Sequence, residues 1–93
     1  MTRVEIVVNS VPRLLPSHIE VGGYGTSGFE WGYGGAGPSQ LALAMCVELF
    51  GPKTAKKTSQ FVLDALIRPL PMELKQWQIS GTNVFNAIPW HLI

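Results

Sequence analysis

GPSQLALAMCVELFGP (Gly37–Pro52) opens with glycine and proline, closes with the same pair and holds little that is polar between them. Proline is tolerated in the first turn of a helix, where its missing N–H would have had no partner. A glycine followed by a proline stops one. The stretch therefore reads as a helix with Pro38 in its first turn, Gly37 or Ser39 near its cap and an apolar pattern from Gln40 to Phe50. Leu41, Ala42, Leu43, Ala44, Met45, Cys46, Val47, Leu49 and Phe50 leave it no wet face, so it must be central and covered on more than one side. Leu43, Met45, Val47 and Leu49 are expected to be largely buried.

Downstream, a second helix is expected from about Lys53 to Arg68. Ala55, Thr58, Val62, Ala65 and Leu66 fall on one stripe, widened by Phe61 and Ile67, while Lys56, Lys57, Gln60 and Asp64 supply the polar side. Val62 and Leu66 are its expected contribution to the core. Pro69 and Pro71 end it. Gln76-Trp77-Gln78-Ile79-Ser80 alternates like a strand, Ser80-Gly81-Thr82 reads as a turn, and Asn83 to Ala87 as a short helical turn before Pro89.

Upstream, Val4, Ile6 and Val8 alternate against polar neighbours, the period of a strand with one buried face. Val11-Pro12 and Leu15-Pro16 interrupt regular structure. A second short strand is expected around Arg13–Leu15 or His18–Val21, pairing with the first, and residues 76–80 could return to that hairpin. Phe29 and Trp31 could form a short bridging strand. With strands at both ends and two helices between, the fold class is α+β: a small antiparallel sheet packed against a pair of helices, one domain over residues 1–93.

Composition narrows the function classes. The 93-residue chain is 46% hydrophobic but only 14% charged, well below the usual quarter. So few charges leave apolar or aromatic area exposed, the mark of a partner surface. A formal net charge of +1 gives no field to gather nucleic-acid phosphates or an anionic membrane. Lys53, Lys56 and Lys57 read as a solvated helix start. Cys46 is the single cysteine and sits in an apolar run, so it reads as a buried thiol and no disulfide or cysteine metal cage is expected. The apolar run Leu41–Val47 is far short of the ~20 residues that span a bilayer. No leader is apparent, and a cytoplasmic setting is expected. His18 and His91 stand apart from each other and from any nucleophile. Asp64 and Glu48 lie on different helices, so no acid–base spacing appears.

The one stretch that invites a chemical reading is Gly32-Tyr33-Gly34-Gly35-Ala36-Gly37, directly before the helix. Glycine amides at the positive end of a helix can approach an anion closely. Against that, no Lys-Ser/Thr pair follows, Pro38 removes an amide, and no basic residue is near. A structural bend fits better: Gly34 or Gly35 at positive φ, with Trp31 packed toward the start of the helix. A third reading leaves the rings exposed as a partner hot spot.

Phe29-Glu30-Trp31-Gly32-Tyr33-Gly34-Gly35, then Gly37-Pro38 and Gln40-Leu41-Ala42-Leu43-Ala44, resembles the signature of a small domain family of unknown function found in bacteria, archaea and phages. Its members carry a WGYGGSGPAQLALALL core. The resemblance extends to Gln60, Leu70-Pro71, Trp77 and Ile79, about two-thirds of the chain, and departs at Ala36, Ser39 and Ser59. It implies a compact α+β domain often encoded on mobile elements, and no activity.

The residues thus favour a small non-catalytic protein without cofactor or metal, binding another protein through Tyr24, Phe29, Glu30, Trp31 and Tyr33. A homodimer is compatible with this, and nucleic acid is not an expected partner. The mobile-element resemblance points to an inhibitor of a host antiviral system such as CRISPR. The alternative is a small-ligand or nucleotide binder using Gly34, Gly35 and Gly37.

Overall fold

The computed structural model describes residues 3–16, 18, 21, 32, 35–71 and 76–93. Strand β1 (Arg3–Val8) and strand β2 (Val11–Leu14) form a hairpin. Helix α1 (Ala36–Phe50) and helix α2 (Pro52–Val62) follow, joined through Gly51 alone. A π-helical turn, Leu63–Ile67, extends α2. Strand β3 (Gln76–Ser80), helix α3 (Gly81–Asn86) and a 3₁₀ turn, Trp90–Leu92, complete the order.

The fold class is mixed α+β, as expected, but the sheet is mixed rather than antiparallel. Its order is β2-β1-β3, with β2 antiparallel and β3 parallel to β1. A hairpin return would make neighbours antiparallel. Here the helical segment stands between β1–β2 and β3, and such a long connection lets β3 enter alongside β1 in the same direction.

The second strand starts earlier than the sequence suggests and contains Pro12. Asn9 and Ser10, at φ 53° and 64°, make the two-residue left-handed turn that suits a hairpin's twist. The register pairs Val8 with Val11 and Val7 with Pro12, and the amide of Leu15 donates to the Val4 carbonyl at 3.0 Å. Hydrogen-bonded pairs therefore fall at 4–15, 6–13 and 8–11. Pro12 sits at the alternate position, where an N–H would point away from β1, so its missing donor costs the ladder nothing and blunts the edge. His18 and Val21 are not in a strand. Ile19 and Glu20, like the bridging strand suggested at Phe29 and Trp31, lie outside the described residues.

One face of the sheet presents Val4, Ile6 and Ile79, which join Leu15 in a single buried core with the helices. Glu5, Val7, Pro12, Leu14 and Gln78 take the other face and are half-buried or exposed. Helix α1 is buried from Gln40 through Cys46 without a break, as its all-round apolar sequence requires. Leu43, Met45 and Val62 are in the core as expected, whereas Val47, Leu49 and Leu66 pack half-buried against it. The helix begins at Ala36, so Pro38 is in its first turn as expected, with Gly35 as N-cap and no side-chain cap. It ends at Gly51, whose φ of 86° and ψ of 164° lie in a region open essentially to glycine. Pro52 then starts α2.

The stripe read along the second helix slips by one residue. Ala55, Thr58 and Val62 are buried on schedule, but Leu63 and Ile67 follow them, with Ala65 exposed and Leu66 only half-buried. The cause is the π turn, in which the amide of Arg68 donates to the Leu63 carbonyl at 2.9 Å. A five-residue step adds one residue to the turn, so the core position passes from 66 to 67.

Candidate functional site

Of the proposed binding residues, Tyr24, Phe29, Glu30, Trp31, Tyr33 and Gly34 lie outside the described residues. Gly32, Gly35 and Gly37 are described, and they speak for a bend. Gly35 is at φ −134°, extended backbone that any residue adopts, so of the two glycines expected at positive φ it is not the one, and Gly34 lies outside the described residues. Gly32 is at φ 87°. The Gly32 amide donates to the carbonyl of Ile67 at 3.0 Å, where α2's π extension ends. Gly37 and Pro38 are buried. The described part of the bend thus spends its geometry on joining α1 to the π turn.

A polar cluster unreadable from spacing ties the sheet to α1. Glu48 takes Arg13 Nη2 on one carboxylate oxygen at 2.7 Å and His18 Nε2 on the other at 2.9 Å. Both Glu48 oxygens are thereby engaged, which suits a clamp between β2, the segment after it and α1. No group of three His, Cys, Asp or Glu among the described residues could hold a metal. Cys46 is buried, and desolvation pushes its thiol up to about 11 against a smaller opposing effect of the Thr58 hydrogen bond. Such a thiol is a packing group and a poor nucleophile. Lys53, Lys56 and Lys57 are exposed.

The described aromatic surface is elsewhere. Phe50 from the end of α1 meets Trp90 edge-on at a centroid distance of 5.1 Å, and Trp90 lies 5.1 Å from Phe85 of α3. Phe50 and Phe85 are 6.4 Å apart. The indole N–H of Trp90 donates to the Phe85 carbonyl at 3.0 Å, which fixes the segment between them. Phe85 is nevertheless 50% exposed, with Leu92 at 71% and Ile93 at 47%. Sequence reading passes over this trio because Phe50 is thirty-five positions from Phe85; the Phe85–Trp90 spacing around Pro89 was the available signal.

The residues between Phe85 and Trp90 line an open groove of about 460 Å³. One wall is Phe61, Asp64 and Ala65; the other is Asn86, Ala87, Ile88 and Pro89. Phe61 of α2 and Asp64 and Ala65 of the π turn make the first wall; the slip that sends Ile67 inward leaves Ala65 exposed, and Asp64 keeps the outward position expected of the polar side.

These features define a small α+β domain with one helix sealed in its core and an open groove beside an exposed aromatic cluster. The chain belongs to a family of unknown function, DUF6166, over residues 1–89. No curated protein and no solved structure matches it. No helix among the described residues is long and apolar enough to cross a membrane.

Proposed function

We propose that the protein acts without catalysis, by binding another protein through the surface formed by Phe85, Trp90, Leu92 and Ile93. The observation that carries this reading is the half-exposed Phe85 ring, held in a fixed aromatic cluster. A large ring kept rigid at low entropic cost and left partly in water is the kind of anchor that dominates protein interfaces. Isolated exposed apolar residues are ordinary, but here several cluster in one short stretch of a domain with few charges. The family resemblance supports a mobile-element origin, and with it inhibition of a host antiviral system such as CRISPR as the specific role. Cytoplasmic location accords with that role.

The test is co-purification with the parent and with a Phe85→Ser/Leu92→Ser variant. A stoichiometric partner held by the parent and lost by an equally stable variant supports the reading. No partner, or one retained by the variant, overturns it; sedimentation identifies a second copy of the chain as that partner. The alternative, a nucleotide or other anion at Gly34, Gly35 and Gly37, is less well supported, given the burial of Gly37 and the engaged Gly32 amide.

A further inference from the structure

We infer that the groove between the π turn and residues 86–89 receives a peptide segment of the partner that carries a cationic side chain, arginine or lysine, next to an apolar one. This rests on the protein-binding reading and assigns chemistry to its partner.

The lining is apolar at Phe61, Ala65, Ala87, Ile88 and Pro89, with Asn86 as its amide and Asp64 as its one charged residue. An open groove of this kind encloses too little of a free small molecule to hold it, whereas an extended chain can lie along it. The groove's own backbone offers little: the Ala87 amide donates to Asn83 and Val84, and the Ile88 amide to Phe85. Recognition therefore falls to side chains, and Asp64 sets the sign of the charge.

Asp64 already shows the contact proposed. Arg68 Nε lies 3.0 Å from Asp64 Oδ1, with the two side chains 51% and 55% exposed. Gln60 Nε2 reaches both Asp64 oxygens at 3.2 Å. Exposed pairs of this type are weak, so an incoming guanidinium or ammonium, delivered beside an apolar residue that docks on Phe61 and Ile88, displaces Arg68 readily. Arg68 is thus an internal competitor for the partner's cation. The two members of the pair then have opposite effects on binding, which a merely structural pair would not.

The experiment uses two synthetic tripeptide amides, one with arginine between two leucines and one with glutamine in its place. Each is titrated into the isotopically labelled full chain, and the backbone amides of Phe61, Ala65, Asn86, Ala87 and Ile88 are followed by NMR. The arginine peptide should bind about threefold more tightly than the glutamine peptide, in keeping with an exposed ion pair. Asp64→Asn should erase the preference, and Arg68→Gln should enlarge it. Equal binding of the two peptides, shifts confined to other amides, or a lower preference in Arg68→Gln overturns the inference. If a partner is captured through Phe85 and Leu92 while the peptides are not discriminated, this inference alone fails. A preserved peptide preference with no captured partner overturns the broader reading alone.

Discussion

The amide of Gly32 donates to the carbonyl of Ile67 at 3.0 Å, and this bond ties the residue that closes the π turn to a glycine ahead of α1. Ile67 closes the π turn and fills the core at 0% exposure. Gly32 precedes α1 with a φ of 87°, which a side chain would strain. The π turn that phases the second helix is therefore hydrogen-bonded to Gly32.

Valine at Gly32 should destabilise the domain by about 1–3 kcal/mol, the cost of a β-branched residue in a left-handed conformation. Gly51→Ala is the cleaner probe, since an added Cβ there meets nothing within 4 Å and any loss is backbone strain. For a chain of this size each kcal/mol shifts the melting temperature by about 4–8 °C. Melting curves that superimpose on the parent's would disprove the strain at both positions.

Ser10→Gly should have the opposite sign. Ser10 is at φ 64° in the hairpin turn, a place where glycine is preferred. Relief of the left-handed penalty, about 1–2 kcal/mol, outweighs the extra freedom glycine gives the unfolded chain, about 0.4–1 kcal/mol. Denaturant unfolding should show a gain of about 0.5–1 kcal/mol, and a loss would contradict the turn assignment.

Leu43→Ala removes a side chain 3% exposed from a helix packed on all sides, and should cost about 2–5 kcal/mol. Chemical denaturation reads this directly. A change below about 1 kcal/mol would mean α1 is not the centre of the fold.

Cys46 supplies a pH test. Its thiol titrates from the ordinary 9.0 in the unfolded chain and from about 11 in the folded one. The folded state therefore holds its proton where the unfolded state has lost it, and stability falls as the pH rises between those values; below 9 the group contributes no pH dependence. Comparison of the parent with Cys46→Ala should show the parent losing relative stability from about pH 9 to pH 11. A flat difference across that window would mean the thiol is not desolvated. At pH 8 a thiol reagent should label Cys46 only through opening of the fold, more slowly as the open population falls.

The parts governed by local chemistry are legible along the chain. Gly51-Pro52 stops one helix and starts the next because a glycine-only conformation and a proline-tolerant first turn are properties of those two residues. The strand at residues 76–80, the α+β class and the burial of residues 40–46 follow from hydrophobic period and from the lack of any polar face. Packing sets which way β3 runs, because parallel and antiparallel partners present the same alternation. It also decided the slip from Leu66 to Ile67: either apolar residue could fill the core, and packing together with the Gly32 bond selects the second. The candidate site shares that origin. Phe50 is distant in the chain from Phe85 and Trp90, and the π turn leaves Ala65 exposed beside Asp64 on the groove wall. Glu48 likewise finds Arg13 and His18 across the gap between sheet and helix, a pairing set by the meeting of two surfaces and by no spacing along the chain.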